Sequence, residues 1–375
     1  MKGPRTVSIT DCIDRLAGYD AILDARSPGE FAIDHLPGAS SAPVLDDLER
    51  IEVGTLHARA GAFAARRRGA ALVARNIAGL LEARFHAMPP EWRPLVYCWR
   101  GGNRSASLAI VLSRVGWRVD VLEGGYRAYR RRVVADIERL PARLRFIVVA
   151  GRTGVGKSRL LQLLAARGQQ VLDLEAMAAH RGSVLGPMPD SDQPSQKAFE
   201  SRLWQALRGY DEDRPVFVES ESRKIGQCQV PGPLIERMRA SECVVIAASP
   251  EFRIRLLREE YEHFLDDPSL LARRLSALAP LHGKARLAHW ESQARLGDWD
   301  GLVGDLLAAH YDPAYERSMA RNFLRLDEAR LIDLEAGPEG SGHGNASPDC
   351  DAALARAADR LAALDASTAS RPPIP

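Results

Sequence analysis

Phe146-Ile147-Val148-Val149-Ala150-Gly151-Arg152-Thr153-Gly154-Val155-Gly156-Lys157-Ser158 decides how the second half of the chain folds. Its first five residues read as a buried strand, and the next eight fit G-x-x-x-x-G-K-[ST], the P-loop pattern. That pattern requires a strand before it and a helix after it, and Lys157 to Arg167 carries apolar residues at helical spacing. Gly151, Gly154 and Gly156, with Thr153 between them, let backbone N–H groups wrap a phosphate. Lys157 neutralises charge, and the Ser158 hydroxyl is a candidate Mg²⁺ ligand. Such a turn selects a di- or triphosphate; it does not specify nucleotide hydrolysis, and neither ATP nor GTP is indicated. An acid at the end of a nearby strand usually assists the metal. Val216-Phe217-Val218-Glu219, with Glu221 two residues on, supplies the candidates Glu219 and Glu221.

Outward from this stretch, strands are expected at Leu144–Ala150, Gln170–Leu174, Pro215–Glu219 and Cys243–Ala247, with mainly helix over 251–330. Upstream, strands are expected near Asp20–Leu23, Pro94–Tyr97 and Arg118–Leu122, and a short extended stretch over Gly38–Val44. Helices are expected over Ala70–Phe85, Ser105–Val115 and Tyr126–Leu140, the last ended by Pro141, which is read as a domain boundary. Strands separated by helical runs argue for parallel α/β sheets in both halves. From Gly337 the composition turns to Gly, Ser, Pro and Asp, so 336–375 reads as a mostly disordered tail, with a helical pattern at 351–364.

The bulk numbers set limits. A chain of 375 residues holds two compact domains and a tail. No run of about 18 apolar residues is present, so no membrane span is expected. The N-terminus lacks an apolar segment after its charges, which argues against a secretory signal. The five cysteines show neither a CxxC pair nor zinc spacing, as expected of reduced thiols in a cytoplasmic protein without a defined metal site. A net charge of +2 does not announce a nucleic-acid binder. Its distribution is uneven, however: Arg127, Arg130, Arg131 and Arg132 open a run of seven arginines ending at Arg145, and Arg66-Arg67-Arg68 form a second cluster. Either cluster could be a solvated face or a track for RNA phosphates.

A second site of chemistry is Val96-Tyr97-Cys98-Trp99-Arg100-Gly101-Gly102-Asn103-Arg104-Ser105. A short apolar strand delivers Cys98 to a glycine-bearing loop, and a helix starts at the end of that loop. Inward-pointing N–H groups and the helix N-terminus would favour a thiolate at Cys98, and Arg104 could grip an anionic oxygen bidentately. Trp99, Arg100, Gly101, Gly102, Asn103 and Ser105 complete the candidate anion loop.

This loop resembles the active-site loop of rhodanese-like domains. Asp24-Ala25-Arg26-Ser27-Pro28-Gly29-Glu30-Phe31 with His35-Leu36-Pro37-Gly38-Ala39 is similar to that family's early motif, and Leu122-Glu123-Gly124-Gly125-Tyr126 to its late strand and Gly-Gly turn. The Cys-x5-Arg spacing is one residue longer than in most sulfur carriers and resembles the dual-specificity phosphatase relatives. A rhodanese-like α/β domain (1–140) followed by a P-loop NTPase-like parallel α/β domain with a helical C-terminal part (141–335) resembles the bacterial tRNA 2-selenouridine synthases. Glu219-Ser220-Glu221-Ser222-Arg223-Lys224-Ile225-Gly226, Asp173-Leu174-Glu175 with His180-Arg181-Gly182-Ser183, and His310-Tyr311-Asp312-Pro313-Ala314-Tyr315 with Ser318 are further family-like stretches.

The resemblance implies a transferase that replaces sulfur by selenium at the wobble 2-thiouridine of tRNA. Its substrates would be selenophosphate, supplied by a separate selenophosphate-producing enzyme, and geranyl diphosphate for a preceding S-geranylation. No tightly bound cofactor is implied. Cys98 would handle selenium with Arg104 on the phosphate oxygens, and the P-loop would hold the diphosphate. Trp99 is read either as packing in its own loop or as a stacking platform for a splayed base. The residues themselves leave two other readings open: a rhodanese- or phosphatase-type enzyme with a nucleotide-regulated P-loop domain, and a nucleotide-dependent adaptor.

Overall fold

The structure, a computed structural model, describes residues 3–183, 186, 192–262, 264, 268–335 and 349–368. The chain forms two compact units, one of Met1–Asp136 with Lys197–Gln205, the other of Ile137–Gln196 with Ala206–Pro375.

The first unit is built on five strands: β1 (Arg5–Val7), β2 (Ala21–Asp24), β3 (Ala39–Ser41), β4 (Pro94–Tyr97) and β5 (Asp120–Leu122). They form one parallel sheet in the order β1-β5-β4-β2-β3. β4 is buried at all four positions, as its central place and its continuous apolar run require. Leu108 and Leu112 of helix Asn103–Val115 pack on Leu23 and Val96, with Phe85, Trp92 and Trp117 in the same core. Between β3 and β4 lies a helical hairpin, Asp47–Leu80, bent at Gly61 where φ is 84°. Its arms are tied by Arg68 on Glu52 at 2.6 Å and Arg75 on Glu49 at 2.9 Å. The helix expected at Ala70–Phe85 covers only the later part of the second arm; Arg66 to Arg68 and the whole first arm lie outside it.

The second unit contains β6 (Phe146–Ala150), β7 (Gln170–Leu172), β8 (Val216–Glu219), the short antiparallel pair β9 (Lys224–Ile225) and β10 (Cys228–Gln229), β11 (Glu242–Ala247) and β12 (Arg330–Asp333). Its parallel five-stranded sheet runs β12-β11-β6-β8-β7, with the strand that feeds the P-loop at its centre. Helices occupy most of 250–322, as expected. Tyr261, Phe264, Leu271, Trp290, Leu302 and Leu306 form a separate apolar cluster there.

Two expectations are corrected. Pro141 does not end its helix, which runs Gly125–Arg143. A proline removes one N–H bond and crowds the carbonyl four residues earlier, which bends a helix without having to stop it. Within the region read as a mostly disordered tail, the helical pattern at 351–364 belongs to a helix, Cys350–Thr368, that is packed rather than loose. Its Cys350, Ala353, Leu354, Ala357, Ala358 and Leu361 recur at helical spacing and close the core of the second unit against Leu160, Leu161 and Leu164. Residues 336–348 and 369–375 lie outside the described residues. All five cysteines are buried and unbridged. No helix among the described residues is long and apolar enough to cross a membrane.

Candidate functional sites

The two sites the sequence singled out are built by different means. In the first unit, β4 ends at Tyr97 and hands Cys98 to a loop that leads into helix Asn103–Val115, with Gly102 in the capping position. The late Gly-Gly turn clasps this loop. The N–H groups of Tyr126 and Arg127 donate to the carbonyls of Cys98 (2.8 Å) and Trp99 (3.1 Å). A Cβ at Gly125, where φ is 54°, would lie 2.1 Å from the Cys98 carbonyl oxygen, so the clasp requires glycine. The Ser105 hydroxyl donates to Cys98 Sγ at 3.1 Å, which fixes the sulfur at the foot of helix Asn103–Val115. Cys98 is only 3% exposed. Burial pushes the thiols of Cys12 and Cys243 up to about 11, which leaves them inert.

Arg104 donates to Glu30 at 2.6 Å and so is turned toward helix Pro28–Ile33. Arg26 of the early motif is fully buried, paired with Asp24 at 2.6 Å and stacked 4.0 Å from the centre of the Tyr126 ring. Trp99 stacks on the other neighbour of that loop, Tyr126, at 5.3 Å between ring centres. Of the arginines proposed to meet RNA, Arg130 is held by Glu200 and Arg132 by Asp136, whereas Arg127, Arg131, Arg66 and Arg67 are exposed.

In the second unit, the turn after β6 places Gly156 at φ 80°, immediately before helix Lys157–Ala166. A Cβ there would meet Leu256 at 2.9 Å and Leu354 at 3.0 Å. Lys157 Nζ donates to the Gly151 carbonyl at 2.8 Å, and the Gly151 N–H donates to Tyr315 Oη at 2.5 Å. Arg253, 3% exposed, fastens the turn from behind. Its Nε donates to the Thr153 carbonyl at 2.7 Å while its two terminal nitrogens grip Asp312. The His310–Tyr315 stretch thus supplies both Asp312 and Tyr315 to the phosphate turn.

Ser158 Oγ donates to Glu175 Oε2 at 2.9 Å, and the Glu175 N–H donates to Glu219 Oε1 at 2.9 Å. The structure therefore sets Glu175 beside Ser158, with Glu221 also on the cavity wall and Glu219 buried behind. Sequence reasoning missed Glu175 as a site residue, although it lies just past β7, where an acid of this kind is expected. Burial pushes Lys157 down despite Glu175, Glu221 and Glu219 nearby. Burial, reinforced by neighbouring acids, pushes Glu219 well up and Glu221 up to about 8. Among the described residues, no three His, Cys, Asp or Glu side chains are grouped as a metal site.

These groups open into a cavity of about 730 Å³. Lys157, Ser158, Glu175 and Glu221 are polar wall residues; Leu271, Trp299, Leu302 and Leu306 belong to its apolar lining.

A buried cysteine in a glycine-clasped loop on one parallel sheet, and a lysine-bearing phosphate turn on another, define a rhodanese-like domain joined in one chain to a P-loop domain. Residues 8–132 match the rhodanese-like domain family, and residues 144–268 match the tRNA 2-selenouridine synthase AAA domain. The chain belongs to the tRNA 2-selenouridine synthase family. It is 36% identical to the tRNA 2-selenouridine synthase of Marinobacter nauticus, covering 80% of this chain and 88% of that one. With that of Cupriavidus necator it shares 34% identity over 84% and 93% of the two chains, and with that of Alcanivorax borkumensis 31% over 80% and 90%.

Proposed function

We propose that this protein is a cytoplasmic transferase that replaces sulfur by selenium at wobble 2-thiouridine in tRNA, and that it first geranylates that sulfur in the P-loop unit. The observation that carries the geranyl step is the mixed lining of the cavity at Lys157. A phosphate turn meets a wall of leucine and tryptophan side chains, and a volume of about 730 Å³ lies within the usual range for small-molecule sites. Geranyl diphosphate has that division: a diphosphate head for the turn and an apolar chain for the wall. A nucleotide would instead set a polar base and ribose against the leucines, which disfavours the reading of a nucleotide-regulated domain.

In the proposed step the thiocarbonyl sulfur attacks C1 of the geranyl group. The C–O bond breaks, and diphosphate leaves with the electron pair. Lys157 and the N–H groups of Gly151–Ser158 would hold the departing charge. Ser158 and Glu175 offer one hydroxyl and one carboxylate, the modest protein share that Mg²⁺ takes when substrate phosphates complete its shell; the ion would neutralise diphosphate charge. The alkylated sulfur is a better leaving group than a bare thiocarbonyl, and selenium then takes its place. Selenophosphate from a separate enzyme would supply that selenium beside Cys98: its selenium attacks C2, geranylthiol leaves with the electron pair of the C–S bond and a proton, and water then takes the phosphoryl group as phosphate. The exposed Arg66, Arg67, Arg127 and Arg131 would track tRNA phosphates.

The test is mass spectrometry of tRNA nucleosides after reaction with two variants. Lys157→Ala should lose geranyl transfer by at least about a hundredfold. Cys98→Ala should lose selenouridine while still forming the geranylated nucleoside. A folded Lys157→Ala protein that transfers geranyl at the wild-type rate would sink the assignment.

A further inference from the structure

The first unit contains a second cavity, of about 390 Å³, on the flank of the cysteine loop. Trp99 and Arg104, on either side of the loop's glycines, line it, and so does Tyr126, whose N–H holds the Cys98 carbonyl. Cys98 itself is not on the wall. The remaining polar lining is Arg26, Glu30, Arg50 and Lys197. Lys197 comes from a helix, Gln196–Gly209, and lies 92 residues beyond Ser105 in the chain. It reaches the loop because the following turns of that helix are bolted to the first unit. Ser201 donates to Asp34 at 3.0 Å, Trp204 to Asp136 at 3.0 Å, and Glu200 pairs with Arg130. The Trp204 ring meets Tyr129 edge-on at 5.5 Å. Lys197 Nζ is thereby set 5.9 Å from the centre of the Trp99 ring.

The charges on the wall do not cancel. Arg26 is neutralised by Asp24. Arg104 and Arg50 share one carboxylate, Glu30, at 2.6 and 4.0 Å. Lys197 adds a third cation. Three cations against one carboxylate leave a surplus of two positive charges in a small cavity. A phosphate carrying a single substituent bears close to two negative charges at neutral pH, whereas a phosphodiester of an RNA backbone bears one.

We propose that this cavity is a binding site for a monosubstituted phosphate or its seleno- or thio-analogue, with Lys197 and Arg50 as ligands and Glu30 as the counterion that the phosphate displaces from Arg104. The inference rests on the proposed function in one respect: the occupant is the phosphate part of the small selenium donor, not a phosphate of tRNA. The released Arg104 would then do what its place in the loop suggests, gripping the oxyanion beside Cys98.

The experiment uses the full chain with Lys157→Ala as background, so that the P-loop does not contribute, and thiophosphate and orthophosphate as titrants followed by calorimetry. Adding Lys197→Gln should weaken thiophosphate binding about tenfold, the worth of one charge-assisted contact. Adding Glu30→Gln should tighten it, because the competing carboxylate is gone while the amide keeps the cap contact to Ser27. Binding unchanged by both substitutions, or no thiophosphate binding in the background protein, would overturn the site. So would a Lys197→Gln protein that loses affinity for a tRNA anticodon stem-loop but not for thiophosphate, since that outcome assigns the cavity to RNA. None of these results bears on geranyl transfer, so the site can fail while the proposed function stands.

Discussion

Glu221 and Lys157 show what burial does to ionisable residues on the wall of the P-loop cavity. Each is shifted toward its neutral form, Glu221 to about 8 and Lys157 downward, because the protein interior solvates neither charge well. For Glu221 the consequence for stability has a definite sign. Its folded pKa lies above the ordinary 4.5, so the folded chain keeps a proton that the unfolded chain releases. The contribution is fully present below pH 4.5 and is lost as pH rises through about 8. The ligand-free protein should therefore melt several degrees lower near pH 8 than near pH 5, and Glu221→Gln should flatten that slope; an unchanged slope in thermal melts would show that Glu221 is already ionised. Residues of this kind were only partly legible. Lys157 and Cys98 stand in short continuous motifs whose chemistry is local. Glu175 comes beside Ser158 and Glu219 only because β7 and β8 are neighbours in the sheet, a pairing across 46 residues that no window of sequence contains.

At the scale of elements, the readable ones were those with a strong local period. The strands feeding Cys98 and Gly151 were found nearly to their observed ends. The hairpin's first arm was missed because its apolar positions are few and partly exposed; Leu48 is 78% and Ile51 55% exposed, so no buried stripe announces a helix. The pattern at 351–364 announced the helix Cys350–Thr368 but not its burial. Most of its buried positions are alanines and leucines in a region whose flanks are rich in Gly, Ser and Pro, and composition pulled the reading toward a tail. Its position gives it a mechanical part in the phosphate turn. The Leu354 side chain lies where a Cβ on Gly156 would come within 3.0 Å, so the helix backs the turn directly. Leu354→Ala should cost about 2–5 kcal/mol of stability, read as a shift in denaturant midpoint, and should loosen diphosphate binding at the same time. A variant that keeps the wild-type midpoint would mean that the core of the second unit closes without this helix.

For the molecule as a whole, the chain path matters more than the list of domains. The first unit is continuous to Asp136 and then complete only with Lys197–Gln205. A fragment ending at residue 140 would leave Asp34 and Asp136 without Ser201 and Trp204 and would uncover Tyr129, so it should melt well below the full chain. A peptide of residues 196–209 should raise its melting temperature when added in trans; no response to the peptide would show that the fragment is self-sufficient. The boundary at Pro141, which the sequence suggested, ignores this return because nothing in the composition of 197–205 marks it as belonging to an earlier sheet. The same feature bears on how such a protein can be inherited. Two genes of this kind recombined near codon 140 would join a rhodanese from one parent to the clasping helix of the other, and Glu200, Ser201 and Trp204 would have to suit an Arg130, Asp34 and Asp136 they had never met. Such a chimera would keep its first unit intact only where those contacts match.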